Sequence, residues 1–116
     1  MKSILIVDDD ELMIESIKIM LEKFSVSVTG YTDPFAGSDI AIRQKFDLIL
    51  LDLKMPGLNG AEISIQILKA RPDARILMLT SYPMDPLIQK AINAGVLGVV
   101  KKPFEIGKIL KYLEMK

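Results

Sequence analysis

A chain of 116 residues and 12.9 kDa accommodates one domain with a sizeable core and leaves no room for two. Half of its residues are hydrophobic, which excludes disorder, and fifteen basic residues cancel fifteen acidic ones, with no basic cluster beyond Lys101 and Lys102 to form a nucleic-acid surface. The lack of cysteine removes disulfide and thiolate chemistry, the lack of histidine removes the commonest general base and metal ligand, and no apolar run approaches the roughly twenty residues that cross a bilayer.

Ile4 to Val7 is an unbroken apolar run that reads as a buried strand, with Asp8, Asp9 and Asp10 at its end. The run is too short for a signal-peptide core and is followed at once by acids, so a soluble, cytoplasmic domain spanning residues 1–116 is expected. Leu12, Met13, Ile17, Met20, Leu21 and Phe24 recur at helical spacing and predict a first helix reaching Phe24. Ser25 to Tyr31 reads as a second strand. Thr32, Asp33 and Pro34 start a weaker helix carrying Phe35, Ala36, Ile40 and Ala41.

Phe46 to Gly60, FDLILLDLKMPGLNG, is the most informative stretch. Leu48 to Leu51 is a strand apolar on both faces, the kind found in parallel sheets covered by helices, and Asp52 ends it. Pro56, Gly57, Asn59 and Gly60 supply turn chemistry before a third helix that starts at Ala61, carries Ile63, Ile65, Ile67 and Leu68, and ends near Arg71 and Pro72. Arg75 to Leu79 is the fourth strand, leading to Thr80 and Ser81. Asp85 and Pro86 cap a fourth helix bearing Leu87, Ile88, Ala91 and Ile92 and closed at Gly95. Gly98 to Val100 is a short fifth strand running into Lys101, Lys102 and Pro103, and Ile106, Ile109, Leu110 and Leu113 mark a final amphipathic helix.

Strands alternating with helices through short connections predict an α/β fold, a doubly wound parallel five-stranded sheet of the (βα)5 kind with helices on both faces. Residues just past the strands' carboxyl ends then share one rim, where such sheets bind ligands. That rim receives Asp8, Asp9 and Asp10, then Asp52, then Thr80 and Ser81, then Lys101 and Lys102. Singly, each has a plainer explanation. Asp52 fits an ordinary loop acid equally well, Asp10 alone reads better as a helix cap, Thr80 as a strand former and the lysines as solvated charges.

Convergence changes that balance, because several carboxylates in one crevice repel one another unless a cation compensates them. Mg²⁺ is the natural choice, since it takes oxygen ligands and uses one or two carboxylates together with phosphate oxygens. A remaining carboxylate beside it can act as nucleophile toward a phosphoryl group, with a lysine ammonium and a threonine hydroxyl donating to the phosphoryl oxygens. The set is equipped to form and hydrolyse an aspartyl phosphate.

At these residues the sequence resembles the receiver domains of two-component response regulators, single-domain chemotaxis regulators included. The motifs are IVDDD at the first strand, LLDLKMPGLNG around Asp52, LTS at 79–81, and AG at 94–95 followed by KKPF at 101–104, so they run through the whole chain. The resemblance implies a flavodoxin-like strand order 2-1-3-4-5, which periodicity does not give. It implies Asp52 as phosphoacceptor, and Asp8 and Asp9, with Asp52 and the main-chain carbonyl of Lys54, as Mg²⁺ ligands. Thr80 becomes the switch hydroxyl and Lys102 the ion-pairing lysine, joined to Pro103 by a cis peptide bond. It further implies a sensor histidine kinase or histidine phosphotransfer protein as donor. A surface of the fourth helix, fifth strand and fifth helix is implied for homodimerisation or partner binding.

One departure stands out. Val99 occupies the position, three residues before the lysine, where the family usually has a rotating tyrosine or phenylalanine, and Tyr82 is the candidate substitute contact. Lys54, near the entry to the site, is a candidate influence on hydrolysis.

Two rival assignments stay open at the level of sequence. A phosphohydrolase of the haloacid-dehalogenase type would use Asp8 as nucleophile and Asp10 as general acid, but it needs a further acidic strand end after the lysine, and only Glu105 and Glu114 remain, both in the final helical segment. A degenerate receiver would act as a constitutive binding module. Asp8, Asp9, Asp52, Thr80 and Lys102 are all present, which argues against it, while Val99 keeps it alive for the output step.

Overall fold

In the computed structural model, which describes residues 1–103 and 105–114, five strands alternate with five helices. The strands are β1 (Lys2–Val7), β2 (Val26–Tyr31), β3 (Leu48–Asp52), β4 (Ile76–Thr80) and β5 (Gly98–Lys101). The helices are α1 (Glu11–Glu22), α2 (Pro34–Arg43), α3 (Gly60–Ala70), α4 (Pro86–Ala94) and α5 (Ile106–Glu114). All strand pairs are parallel and lie in the order β2-β1-β3-β4-β5. Phe104, which ends the KKPF motif, lies outside the described residues.

Alternation along the strands divides the interior into two cores. Ile4, Ile6, Leu48, Leu50, Leu77, Leu79 and Val100 pack with Ile14, Ile17 and Leu21 of α1 and Ile109 and Leu113 of α5. Leu5, Val7, Ile49, Leu51, Ile76 and Met78 pack toward α2, α3 and α4. Because both faces of β1, β3 and β4 are covered, their apolar runs are continuous rather than alternating with polar residues. Each Leu or Ile buried in this way contributes roughly 1.5–3 kcal/mol, enough in sum to tolerate acids crowded at one end of the sheet.

The same alternation aims the strand-end residues. Ile4 pairs with Leu48 and Ile6 with Leu50. Continuing that register by two residues sets Asp8 beside Asp52, on the face that carries α1 and α5. Leu79 pairs with Val100 in that same core, so Lys102 follows on the same side. The sheet order reverses direction between β1 and β3, and the crevice opens at that switch point.

Two helices differ from expectation. α1 ends at Glu22, and its buried stripe is Ile14, Ile17 and Leu21, while Leu12 is 80% and Phe24 58% exposed. Apolar residues occur around most of this helix, so periodicity alone does not choose the face. The chain then leaves the helix through Ser25, at φ 60°. In α2, Phe35 is exposed and the buried positions are Pro34, Gly37, Ser38 and Ala41. Small residues win there because the helix lies close to β1: a β-carbon on Gly37 would meet Val7 Cγ2 at 2.6 Å.

Gly95, at φ 117°, closes α4 in the left-handed conformation, as its sequence position predicts. The Lys102–Pro103 peptide is cis. Among the described residues no helix is long and apolar enough to cross a membrane.

Candidate functional site

Asp8 is fully buried and both of its carboxylate oxygens are engaged. Oδ2 accepts from Lys102 Nζ at 2.9 Å and Oδ1 from the Asp10 backbone N–H at 2.9 Å. Lys102 Nζ also donates to Asp52 Oδ1 at 3.1 Å, so one ammonium bridges the ends of β1 and β3. Asp9 is exposed beside them, and Asp8, Asp9 and Asp52 each place a carboxylate oxygen within 4.8 Å of the others. Three carboxylates therefore face one ammonium.

That imbalance shows in the acidity of Asp52, which is 7% exposed. Burial first, then the charge of Asp8 and to a lesser degree that of Asp9, push its carboxyl up to about 6, against the lowering effect of Lys102. Lys102 itself is raised above the ordinary lysine value. Burial acts to lower it, but the hydrogen bond to Asp8 and the charges of Asp52 and Asp8 outweigh burial.

A carboxylate whose ionisation is opposed by burial and by neighbouring acids is a group for which an added cation is favourable. The oxygen-only donor set of Asp8, Asp9 and Asp52 fits a hard divalent ion such as Mg²⁺ and offers nothing to a soft one.

Gly60 permits the close packing around this end of β3. A β-carbon there would collide with the main-chain oxygen of Asp52 and approach Met78 Sδ at 2.8 Å. Asn59 caps α3 by accepting from the Glu62 N–H at 2.9 Å. The loop from Asp52 to Gly60 is thus fixed at both ends.

Thr80 ends β4 next to β3. It is buried, and its Oγ1 accepts from the Tyr82 N–H at 2.9 Å, which leaves its own hydrogen free to donate. Asp10 is the α1 N-cap, accepting from the Met13 N–H at 3.2 Å. This is the plainer role its sequence position offered, and the general acid of the phosphohydrolase reading is committed to capping. Val99 is half-buried against the core that holds Met78 and Ala91.

The side chain of Lys54 does not join the acid cluster. Its ammonium pairs with Asp85 Oδ2 at 2.8 Å and lies 5.3 Å from the centre of the Tyr82 ring. The hydrogen bond to Asp85 raises the lysine's affinity for its proton, and the same bond, with the one from Leu87 N–H, lowers the Asp85 carboxyl. Asp85 also caps α4, its Oδ1 accepting from the Leu87 N–H at 2.9 Å. Sequence reasoning found the cap and missed the ion pair. No local signal joins residues that belong to different loops.

Comparison with known proteins agrees with this fold. The family model for the response regulator receiver domain matches residues 4–114. Transcriptional regulatory protein ComA of Bacillus subtilis is 36% identical over 118 residues, covering 97% of this chain and 55% of ComA. The chain spans about half the length of most of the curated relatives it matches.

Among solved structures, a response regulator receiver domain protein (CheY-like) from Methanospirillum hungatei superposes with a TM-score of 0.91 at 30% identity, over 98% of this chain and 94% of that one. A response regulator from Burkholderia pseudomallei, determined with a phosphorylated aspartic acid and a calcium ion, gives 0.89 at 27% identity over 99% of this chain and 68% of that one. The receiver domain of the sensor histidine kinase PA1611 from Pseudomonas aeruginosa, with magnesium coordinated in its active-site cleft, gives 0.87 at 26% identity over 97% and 94%.

Proposed function

Because the chain belongs to the response regulator receiver family, we propose that it works as a phosphorylation switch with Asp52 as the acceptor. The donor is the phosphohistidine of a partner sensor histidine kinase or histidine phosphotransfer protein, met in the cytoplasm. The observation that carries this reading is the bridging of Asp8 and Asp52 by Lys102 with Asp9 alongside.

Asp8, Asp9, Asp52 and the main-chain carbonyl of Lys54 would hold Mg²⁺. When bound, the ion supplies positive charge that offsets both the carboxylates and the incoming phosphoryl oxygens. An Asp52 carboxylate oxygen attacks phosphorus, an O–P bond forms, the P–N bond of the phosphoimidazole breaks, and its electron pair returns to the donor's ring nitrogen. Lys102 Nζ, already 3.1 Å from Asp52 Oδ1, donates to the transferred group. The Thr80 hydroxyl, whose hydrogen is free, is the second donor. Hydrolysis of the acyl phosphate regenerates Asp52, so the only turnover is of the domain's own modification.

Output runs through the surface of α4, β5 and α5, as a homodimer or to a partner, and this domain makes no direct nucleic-acid contact. The rival in which Asp8 is the nucleophile has less support, since Asp10, which would be its general acid, caps α1 through Oδ1. A degenerate, permanently active module is also disfavoured, because the acids and the lysine remain assembled.

The test is incubation with acetyl phosphate and Mg²⁺ followed by intact mass measurement. One phosphate is expected on the wild type and none on Asp52→Asn; phosphate that persists on that variant but disappears on Asp8→Asn would transfer the role to Asp8.

A further inference from the structure

The segment that joins β4 to α4 is held against the site by two tethers. At its start, the Tyr82 N–H donates to Thr80 Oγ1. At its end, Asp85 takes the ammonium of Lys54, two residues beyond Asp52, and that ammonium rests over the Tyr82 ring. Asp85 is shared between this pair and the first turn of α4, with Oδ2 to Lys54 and Oδ1 to Leu87. The tether therefore links the loop carrying the acceptor to the N-terminus of a helix on the proposed output surface.

We propose that the Lys54–Asp85 ion pair, seated on Tyr82, is a latch that holds the β4–α4 loop while Asp52 is unmodified and lets go when a phosphoryl group on Asp52 draws the Lys54 ammonium away. The proposal rests on Asp52 being the acceptor.

Relative strengths favour the exchange. The Lys54 side chain is 56% exposed and that of Asp85 15%, so the ammonium, on the solvent side of the pair, is the partner more easily given up. A phosphoryl group brings close to two negative charges and several strong acceptor oxygens. A lysine on a flexible four-carbon stem follows the stronger charge with little rearrangement of its own backbone. When the ammonium leaves, Tyr82 loses its cation and Asp85 keeps only its capping bond. This route to α4 does not pass through residue 99, where valine has no ring to rotate.

Amide hydrogen exchange of Tyr82, Asp85, Leu87 and Ile88, all hydrogen-bonded in this segment, tests the latch in the intact chain. Asp85→Asn keeps the capping oxygen and removes the charge; Lys54→Gln removes the other partner. In unmodified protein both variants should exchange at these amides roughly two- to fivefold faster than wild type, the range set by a pair with one exposed partner. Wild type treated with acetyl phosphate and Mg²⁺ should reach the same rates, and the variants should show no further acceleration there.

Unmodified variants that match wild type overturn the latch, as does wild type that gains phosphate by intact mass while this segment is unchanged. Failure of wild type to gain phosphate overturns the acceptor assignment, and the latch with it.

Discussion

Neutralising Asp52 should stabilise the protein in the absence of metal, and the size of the effect follows from its acidity. In the unfolded chain the carboxyl titrates near 3.8, and in the fold burial and Asp8 raise it to about 6. Between these values the folded state binds more protons than the unfolded one, so stability falls as pH rises through the interval. At about 1.36 kcal/mol per pH unit, the ionised carboxylate costs the fold about 3 kcal/mol near pH 8 and almost nothing below pH 4.

Asp52→Asn keeps an oxygen for Lys102 Nζ and removes the charge that opposes Asp8. Allowing for amide hydrogens that must find partners, a gain of about 2 kcal/mol is expected, which for a domain of this size is roughly 8 °C in Tm. The assay is thermal and urea unfolding of both proteins followed by circular dichroism, in chelator, from pH 4 to pH 8. The advantage of the variant should be full near pH 8, about half near pH 5, and reduced to about a fifth near pH 4. Equal stabilities at pH 8, or an advantage that does not change with pH, would refute the reasoning that Asp8 and burial oppose ionisation of Asp52.

Removing the compensating charge should have the opposite sign. Lys102→Ala leaves Asp8 and Asp52 without their shared ammonium and should cost about 2–3 kcal/mol in urea unfolding at pH 7, at the low end for a broken buried pair because Lys102 is 14% exposed. Mg²⁺ should raise the melting temperature, with about 2.7 kcal/mol of stabilisation at a hundred times its dissociation constant; calorimetry showing no shift at millimolar Mg²⁺, or an equal shift in Asp9→Asn, would argue against the acidic cluster as the ion's site. Asp10→Asn preserves the α1 cap, so phosphate incorporation should persist by intact mass, whereas loss of incorporation would revive Asp10 as a proton donor. Gly60→Ala should destabilise by more than about 1 kcal/mol in denaturant titration, because its β-carbon meets the main-chain oxygen of Asp52; an unaffected midpoint would mean that the loop yields freely.

Much of this molecule is legible in one dimension, because strands, helices and caps are written in local patterns. The continuous apolar runs at Ile4 to Val7 and Leu48 to Leu51 announce strands covered on both faces. Asp33 and Asp85 sit before helices whose first amides they accept from, and Gly95 ends α4. The acids, threonine and lysine of the site could be nominated from strand ends alone, and their joint motif carried the family resemblance, from which the strand order came. Where periodicity was ambiguous, as around α1, sequence chose Phe24 for the core and the fold turned it to solvent.

What only the folded chain decided is who meets whom. Side-chain alternation and the pairing of Ile6 with Leu50 bring Asp8 to Asp52, and a single ammonium then divides itself between them. Lys54, adjacent in sequence to the acceptor loop, reaches away to Asp85 instead. Local patterns depend on neighbours a few residues apart, so composition and spacing record them. A contact between loops depends on register, strand order and the direction in which long side chains settle, and those are properties of the assembled sheet.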